Sequence, residues 1–395
     1  MDKKAIFASR MLLGKELDIK ENWCILIKGE TIIDILPQSS LSNMEYEGWE
    51  IIDLGNVTLM PGMIDCHNHL ALDARLKNHL EMMNKSAVEL TLLGVNSAQD
   101  DLMSGVTTAR YMGDRFYMDI IFRREIELGN LIGPHILASG IGMRALHGHG
   151  YVGMPFTGVD EFRKATRENM AQGVDLLKIF VTGGTLPEKG EYIPCYMTLE
   201  EISTVVKEGR ALGLKTSAHC IGGQGLKNCI KAGVDIIEHA YAITEEEVEL
   251  IKKEDRWIDL TPGIFMDESR EQFLSPKSAE KIRKQRNQVI ECLKRVIKGN
   301  VKFTLGSDAY HTYLYREVEY AVELGADSKK AIQGVTSNAA LMLGIETETG
   351  SLSKGLRADI IAVEGNPLED VSLLSKVKFV MKSGKIFKNI VKNGI

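Results

Sequence analysis

No run of apolar residues in this chain approaches the ~20 that a membrane helix needs, and its first stretch, MDKKAIFASRMLLGKELDIKENW, holds no apolar core long enough for a secretory leader. A cytoplasmic protein is expected. Basic residues are not in excess either: 48 Lys and Arg stand against 54 Asp and Glu, a formal net charge of -6, and the lysines are scattered. This argues against nucleic acid or a membrane surface as partner and leaves a small-molecule substrate. Cysteine is sparse, six in 395 residues with no CxxC, which reads as reduced thiols filling a core and not as a disulfide framework. What is abundant is core material. With 44% hydrophobic and 26% charged residues, the composition fits one large globular domain plus a small one.

Residues 1–58 and 349–395 share a texture of short β-branched stretches cut by glycine, as in WCILIKGETIIDILP and GSLSKGLRADIIAVEGNP, so the two segments are expected to build one small β-sandwich. Residues 59–348 repeat a different unit. A helical segment ends at glycine, a short apolar strand follows, and a polar residue closes it: MSGVTTARYMG, LIGPHILASG, AQGVDLLKIF, ALGLKTSAHC, KAGVDIIEHA, EDRWIDLTPG, which alone lacks the opening glycine, and KGNVKFTLGSDA, after a first strand in VTLMPGMIDCHNHL. Thr198 with Glu201 and Thr244 with Glu247 read as capping boxes between them. Eight strands alternating with helices predict an α/β fold with a parallel sheet closed as a (β/α)8 TIM barrel, whose chemistry sits at the C-terminal strand ends.

Those ends carry His67 and His69 from the first strand, Lys178 from the fourth, His219 from the fifth, His239 from the sixth and Asp308 from the eighth. Alternation along a strand turns His67 and His69 to the barrel mouth and Cys66 and Asn68 to the helices. Imidazoles and a carboxylate converging on one rim make a metal-ligand set, zinc foremost, whereas His79 and His135 read as core residues. Lys178, inside VDLLKIFVTGG, is costly to bury as an ammonium. A partner carboxylate, a snorkelled side chain or carbamylation by CO2 would each relieve that cost.

PGMIDCHNHL, the lysine of LLKIF, the histidines of SAHC and IEHA, the aspartate of LGSD and the tail GSLSKGLRADIIAVEGNP together resemble the amidohydrolase superfamily, in its binuclear branch near prolidase-like and imidazolonepropionase-like proteins. The resemblance spans almost the whole chain. It implies a hydrolase of C–N bonds in an amide, a peptide-like or a cyclic amide substrate, with two divalent metal ions as cofactors. His67, His69 and Asp308 would hold one ion and His219 and His239 the other, with carbamylated Lys178 bridging. Asp308 would take a proton from the attacking water and pass it to the leaving nitrogen. Homo-oligomers, common in the family, are implied as well. One-metal deaminases of the family carry glutamate three places after the fifth-strand histidine, where this chain has Gly222. Two competing readings are a one-metal imidazolonepropionase-like or deaminase-like hydrolase, with Lys178 an ordinary amine, and a catalytically silent scaffold.

Substrate contacts are expected from the loops. GIGMRALHGHGYVGMPF offers Arg144, His147, His149 and Tyr151; HGHG stands where prolidase-like relatives have GGH, so one histidine either bonds the substrate carbonyl or braces the loop. Tyr192 and Tyr196 are lid candidates. Dipeptidases of the family hold the substrate carboxylate with a tyrosine and an arginine where this chain has Ile221 and Lys227; Lys227 stays a substrate-contact candidate as a point charge, but the change argues against simple Xaa-Pro or Xaa-Arg dipeptides. His311, Tyr313 and Arg316 follow the last strand. Arg316 is expected to pair with Glu317 or Glu319 at the surface, and the charged stretch after the seventh strand to form an amphipathic helix with a solvated face.

Overall fold

The computed structural model describes residues 2–43, 48–77, 83–187 and 192–391, so His79 lies outside the described residues. Eight parallel strands form the barrel: β1 (Met63–Asn68), β2 (Val106–Tyr111), β3 (His135–Ala138), β4 (Leu176–Phe180), β5 (Lys215–Cys220), β6 (Ile236–His239), β7 (Trp257–Leu260) and β8 (Phe303–Leu305). β1 to β3 pair in one sheet and β4 to β8 in another. Two hydrogen bonds join the sheets at their seams, Asp175 N–H to the Ala138 carbonyl at 2.8 Å and Asp308 N–H to the His67 carbonyl at 2.7 Å.

Local chemistry sets the alternation. Helices Gly158–Gln172 and Gly223–Ala232 stop at Gly173 (φ 80°) and Gly233 (φ 88°), left-handed positions that an L side chain disfavours. Ser86–Glu89, Thr198–Glu201 and Thr244–Glu247 form complete capping boxes, the first of them unanticipated. At the foot of the barrel Ile64, Cys66 and Ile236 pack against Ala339, Ala340 and Met342 of helix Ser337–Leu343, which closes that end with apolar surface. No helix among the described residues is long and apolar enough to cross a membrane.

Both terminal segments enter one eight-stranded sheet, ordered Lys385–Asn389, Val377–Lys382, Ile360–Glu364, Val57–Pro61, Lys3–Leu13, Asp18–Lys28 and Thr31–Pro37. The sheet forks at Lys3–Leu13. Its first half pairs with Glu50–Asp53 and its second half with Val57–Pro61. Ile6, Ile25, Ile52, Leu59, Ile360 and Phe379 share the resulting core. Val57–Pro61 then leads through Gly62 into β1, so the small domain aims the strand that carries the HxH pair.

Candidate metal centre

Strand alternation would point His67 and His69 inward and Cys66 outward, but Cys66 also lies inside, beside Asp259, Arg110 and Thr304. The reason is a bulge. Asp65 faces Ala109 and Asn68 faces Tyr111, so three steps on β1 match two on β2, and consecutive residues enter the barrel. Asn68 does face outward, donating to Asp101 of helix Ala87–Met103 at 3.1 Å. The end of β8 is held against β1 by Ser307, whose N–H and hydroxyl donate to Asp65 at 3.1 and 2.6 Å.

Two of the strand-end residues adopt backbone that L-amino acids avoid. His239 (φ 76°) and Asp308 (φ 52°) are left-handed, each followed by a left-handed alanine. Such strain costs about 1 kcal/mol or more per residue and persists where surrounding structure enforces it. Here it turns both side chains back into the barrel mouth.

The cage that results is compact. Asp308 Oδ1 lies 3.5 Å from Nε2 of both His67 and His69. The His239 ring sits 4.7 Å from that of His67 and 4.6 Å from that of His219. Each imidazole has one nitrogen engaged outside the cage: His67 Nδ1 with Glu238 at 2.6 Å, His69 Nδ1 with the Gly113 carbonyl at 3.2 Å, His219 Nε2 with the Gly183 carbonyl at 3.2 Å and His239 Nδ1 with Thr261 at 2.8 Å. A carbonyl or carboxylate only accepts, so on His67, His69 and His219 the bonded nitrogen carries the proton and the other keeps its lone pair, whereas the Thr261 hydroxyl can accept from or donate to His239. Burial lowers His67 to about 4, and lowers His219 and His239 well below the ordinary value, so these rings are neutral near pH 7. Burial alone would raise the Asp308 carboxyl. The surrounding imidazoles outweigh it, and the group stays well below the usual carboxylate range.

Lys178 is fully buried, its Nζ 5.0 Å from the Phe180 ring centroid and without a hydrogen-bond partner among the described residues. Burial lowers its amine to about 8, with Glu238 opposing. Neutral imidazoles with inward lone pairs, an ionised carboxylate and an orphaned buried amine fit divalent metal. His67, His69 and Asp308 bring ligand atoms within 4.8 Å of one another.

Beneath the cage lies a charged layer that the sequence reading missed. Glu238 takes hydrogen bonds from Arg110 at 2.8 Å and from Ser217, and the Arg110 guanidinium overcomes burial to hold its carboxyl well below the usual range. Asp259 is pushed well above its ordinary value by burial and by Glu238. Glu238 precedes His239 in IEHA, and alternation sends the two to opposite faces. Only the left-handed turn at His239 admits both.

The loop candidates divide. His149 stacks 4.6 Å from His219, and His147 is exposed with its ring 5.5 Å from Tyr196. Arg144 donates to the carbonyls of Ala145, Leu146 and Gly148 at 3.1–3.4 Å and lies over Tyr151, bracing its own loop. Tyr192 is 93% exposed. Lys227 is exposed too, 3.4 Å from Glu246 and not brought to the cage. Arg316 pairs with Asp267 at 2.6 Å and not with Glu317 or Glu319. Glu317 is instead buried with Arg270, whose guanidinium lies 4.0 Å from the Tyr310 ring centroid; this arginine comes from the stretch expected to be solvated.

His311 is fully buried, with Nδ1 at 3.0 Å from Asp101 and Nε2 at 3.0 Å from the Leu72 carbonyl, so neither nitrogen is free for substrate. Burial opposes its charge, but Asp101 outweighs it and raises the ring from 6.5 to about 9. A raised folded value means stabilisation fully present below about 6.5 and lost as pH climbs through about 9, worth about 3 kcal/mol. Urea unfolding at pH 6.5 and pH 9.5 should show that loss, and Asp101→Asn should remove most of the difference.

Comparison with known proteins agrees with this architecture. The amidohydrolase family profile matches residues 58–387. The chain is 28% identical over 368 residues to an ochratoxinase of Aspergillus niger, covering 84% of this chain and 75% of that protein. It is 22% identical over 396 residues to an imidazolonepropionase of Shewanella frigidimarina, covering 94% and 91%. Among solved structures, a Xaa-Pro dipeptidase with methionine bound in its active site superposes with a TM-score of 0.85 at 28% identity, covering 98% of this chain and 100% of that one.

Proposed function

The chain belongs to the amidohydrolase family and is a metal-dependent hydrolase of carbon–nitrogen bonds, and from that premise we propose that it cleaves an amide, peptide-like or cyclic amide bond of a small molecule at a two-cation site. The observation that carries this reading is the buried, unpartnered Lys178 amine inside a cage of four histidines and Asp308. His67, His69 and Asp308 would hold one cation, and His219 and His239 the other, zinc foremost. Carbamylated Lys178 would join them. An amine lowered to about 8 offers the neutral form that attack on CO2 requires. Divalent metal bound there supplies an acidified water near neutral pH and a Lewis acid for the carbonyl oxygen.

The chain's own groups do the rest. Asp308 Oδ1 accepts the proton of the attacking water and returns it to the leaving nitrogen. His149, kept neutral mainly by burial, presents a ring N–H to the substrate carbonyl oxygen. Leu72, Val152, Phe180 and Tyr310 pack as one apolar cluster past the ligands and exclude bulk water. Without the family's tyrosine and arginine at Ile221 and Lys227, an acyl amino acid, lactam or imide-like ring fits better than a free dipeptide.

Elemental analysis of metal-loaded protein should find about two divalent ions per chain, and expression without added bicarbonate should lower activity along with metal content. One ion per chain with undiminished activity would instead favour the one-metal reading. Mass-spectrometric screening of N-acyl amino acids, dipeptides, lactams and hydantoin-like rings identifies the substrate.

A further inference from the structure

We propose that Glu238 is a positioning residue of the metal centre, selecting the tautomer of His67 that can bind metal. A neutral imidazole has two tautomers, and here both have a carboxylate to donate to. Asp308 Oδ1 lies 3.5 Å from Nε2, and Glu238 Oε2 lies 2.6 Å from Nδ1. With the proton on Nε2, the ring would donate to Asp308 and lose the lone pair that faces the cage. With the proton on Nδ1, that lone pair is free.

Glu238 wins by distance and by immobility. Its other oxygen accepts from Arg110 Nη2 at 2.8 Å and from the Ser217 hydroxyl, and Arg110 is itself tied to the Cys66 carbonyl. The Glu238, Arg110 and Ser217 side chains are all buried. The carboxylate is therefore clamped between β2, β5 and β6 with one oxygen aimed at β1. Glutamine in its place would face a donor group to a donor, either at Arg110 or at His67 Nδ1. Partners of this kind to a metal-bound histidine are worth about 10–100-fold in metal affinity.

This inference rests on His67 being a metal ligand, and its test reads metal binding rather than turnover. Intact affinity without hydrolysis would count against the proposed reaction and leave Glu238 untouched. Metal-free full-length protein is titrated with Zn²⁺ in competition with a chromophoric chelator. Glu238→Gln is expected to weaken the tighter site about 10–100-fold with an unchanged far-UV circular dichroism spectrum. Long-range ¹H–¹⁵N correlation spectra of the metal-free wild-type chain are expected to show His67 protonated at Nδ1. Wild-type zinc affinity in a folded Glu238→Gln chain, or an Nε2-protonated His67 in the wild type, overturns the proposal. The second measurement decides the matter should the variant not fold.

Discussion

Asp308→Asn is expected to lower kcat/KM by roughly 10²–10⁴-fold while much of the metal stays bound. The amide keeps one oxygen for coordination and fills the same volume, but it cannot take a proton from the attacking water. Its position between the Nε2 atoms of His67 and His69 makes it the carboxylate best placed for that transfer. His67→Ala and His219→Ala should differ in kind, losing metal and turnover together. Steady-state kinetics and elemental analysis on the same preparations separate the two behaviours. A fully active Asp308→Asn enzyme would remove Asp308 from its proton-carrying role.

Arg270→Met is expected to cost about 3–5 kcal/mol of stability at pH 7.5, because it leaves a carboxylate buried without its counter-charge. Arg270 is 1% exposed, bonded to Glu317 and 3.3 Å from Asp267. Asp267 retains Arg316, so the burden falls on Glu317. Burial already raises Glu317 from 4.5 to about 6 in the intact protein. A raised carboxyl is protonated more readily in the folded state than in the unfolded one, so the variant regains stability as pH falls through that range. Urea midpoints at pH 7.5 and 5.5 should therefore lie further apart for wild type and variant at the higher pH. An equal gap at both would assign the loss to packing instead of charge.

The residues that gather in the cage could be picked out because their signals are local. HxH ends an apolar strand, and Lys178, His219, His239 and Asp308 lie within or just past strands that are introduced by a helix-stopping turn. Alternation alone misplaced Cys66, since a one-residue bulge on β1 leaves no mark in composition. The same rule hid Glu238, because the left-handed turn at His239 cancels the expected change of face. Arg270 was hidden for a different reason. A charged loop looks solvated until Tyr310 and Glu317, from the far side of β8, are folded over it. Lys227 shows the converse error, a residue chosen by offset from a motif that the helix Gly223–Ala232 directs to solvent.

The forked terminal sheet bears on how the chain is made. One edge of Val57–Pro61 lies against Lys3–Leu13, but the other finds its partner in Ile360–Glu364, and the Thr58 hydroxyl bonds the Gly365 carbonyl 307 residues away. During synthesis the early strands emerge with one edge unsatisfied until nearly the entire barrel has been translated, which is the condition under which nascent chains pair with the wrong partner. Productive biogenesis of this protein is thus timed by its tail.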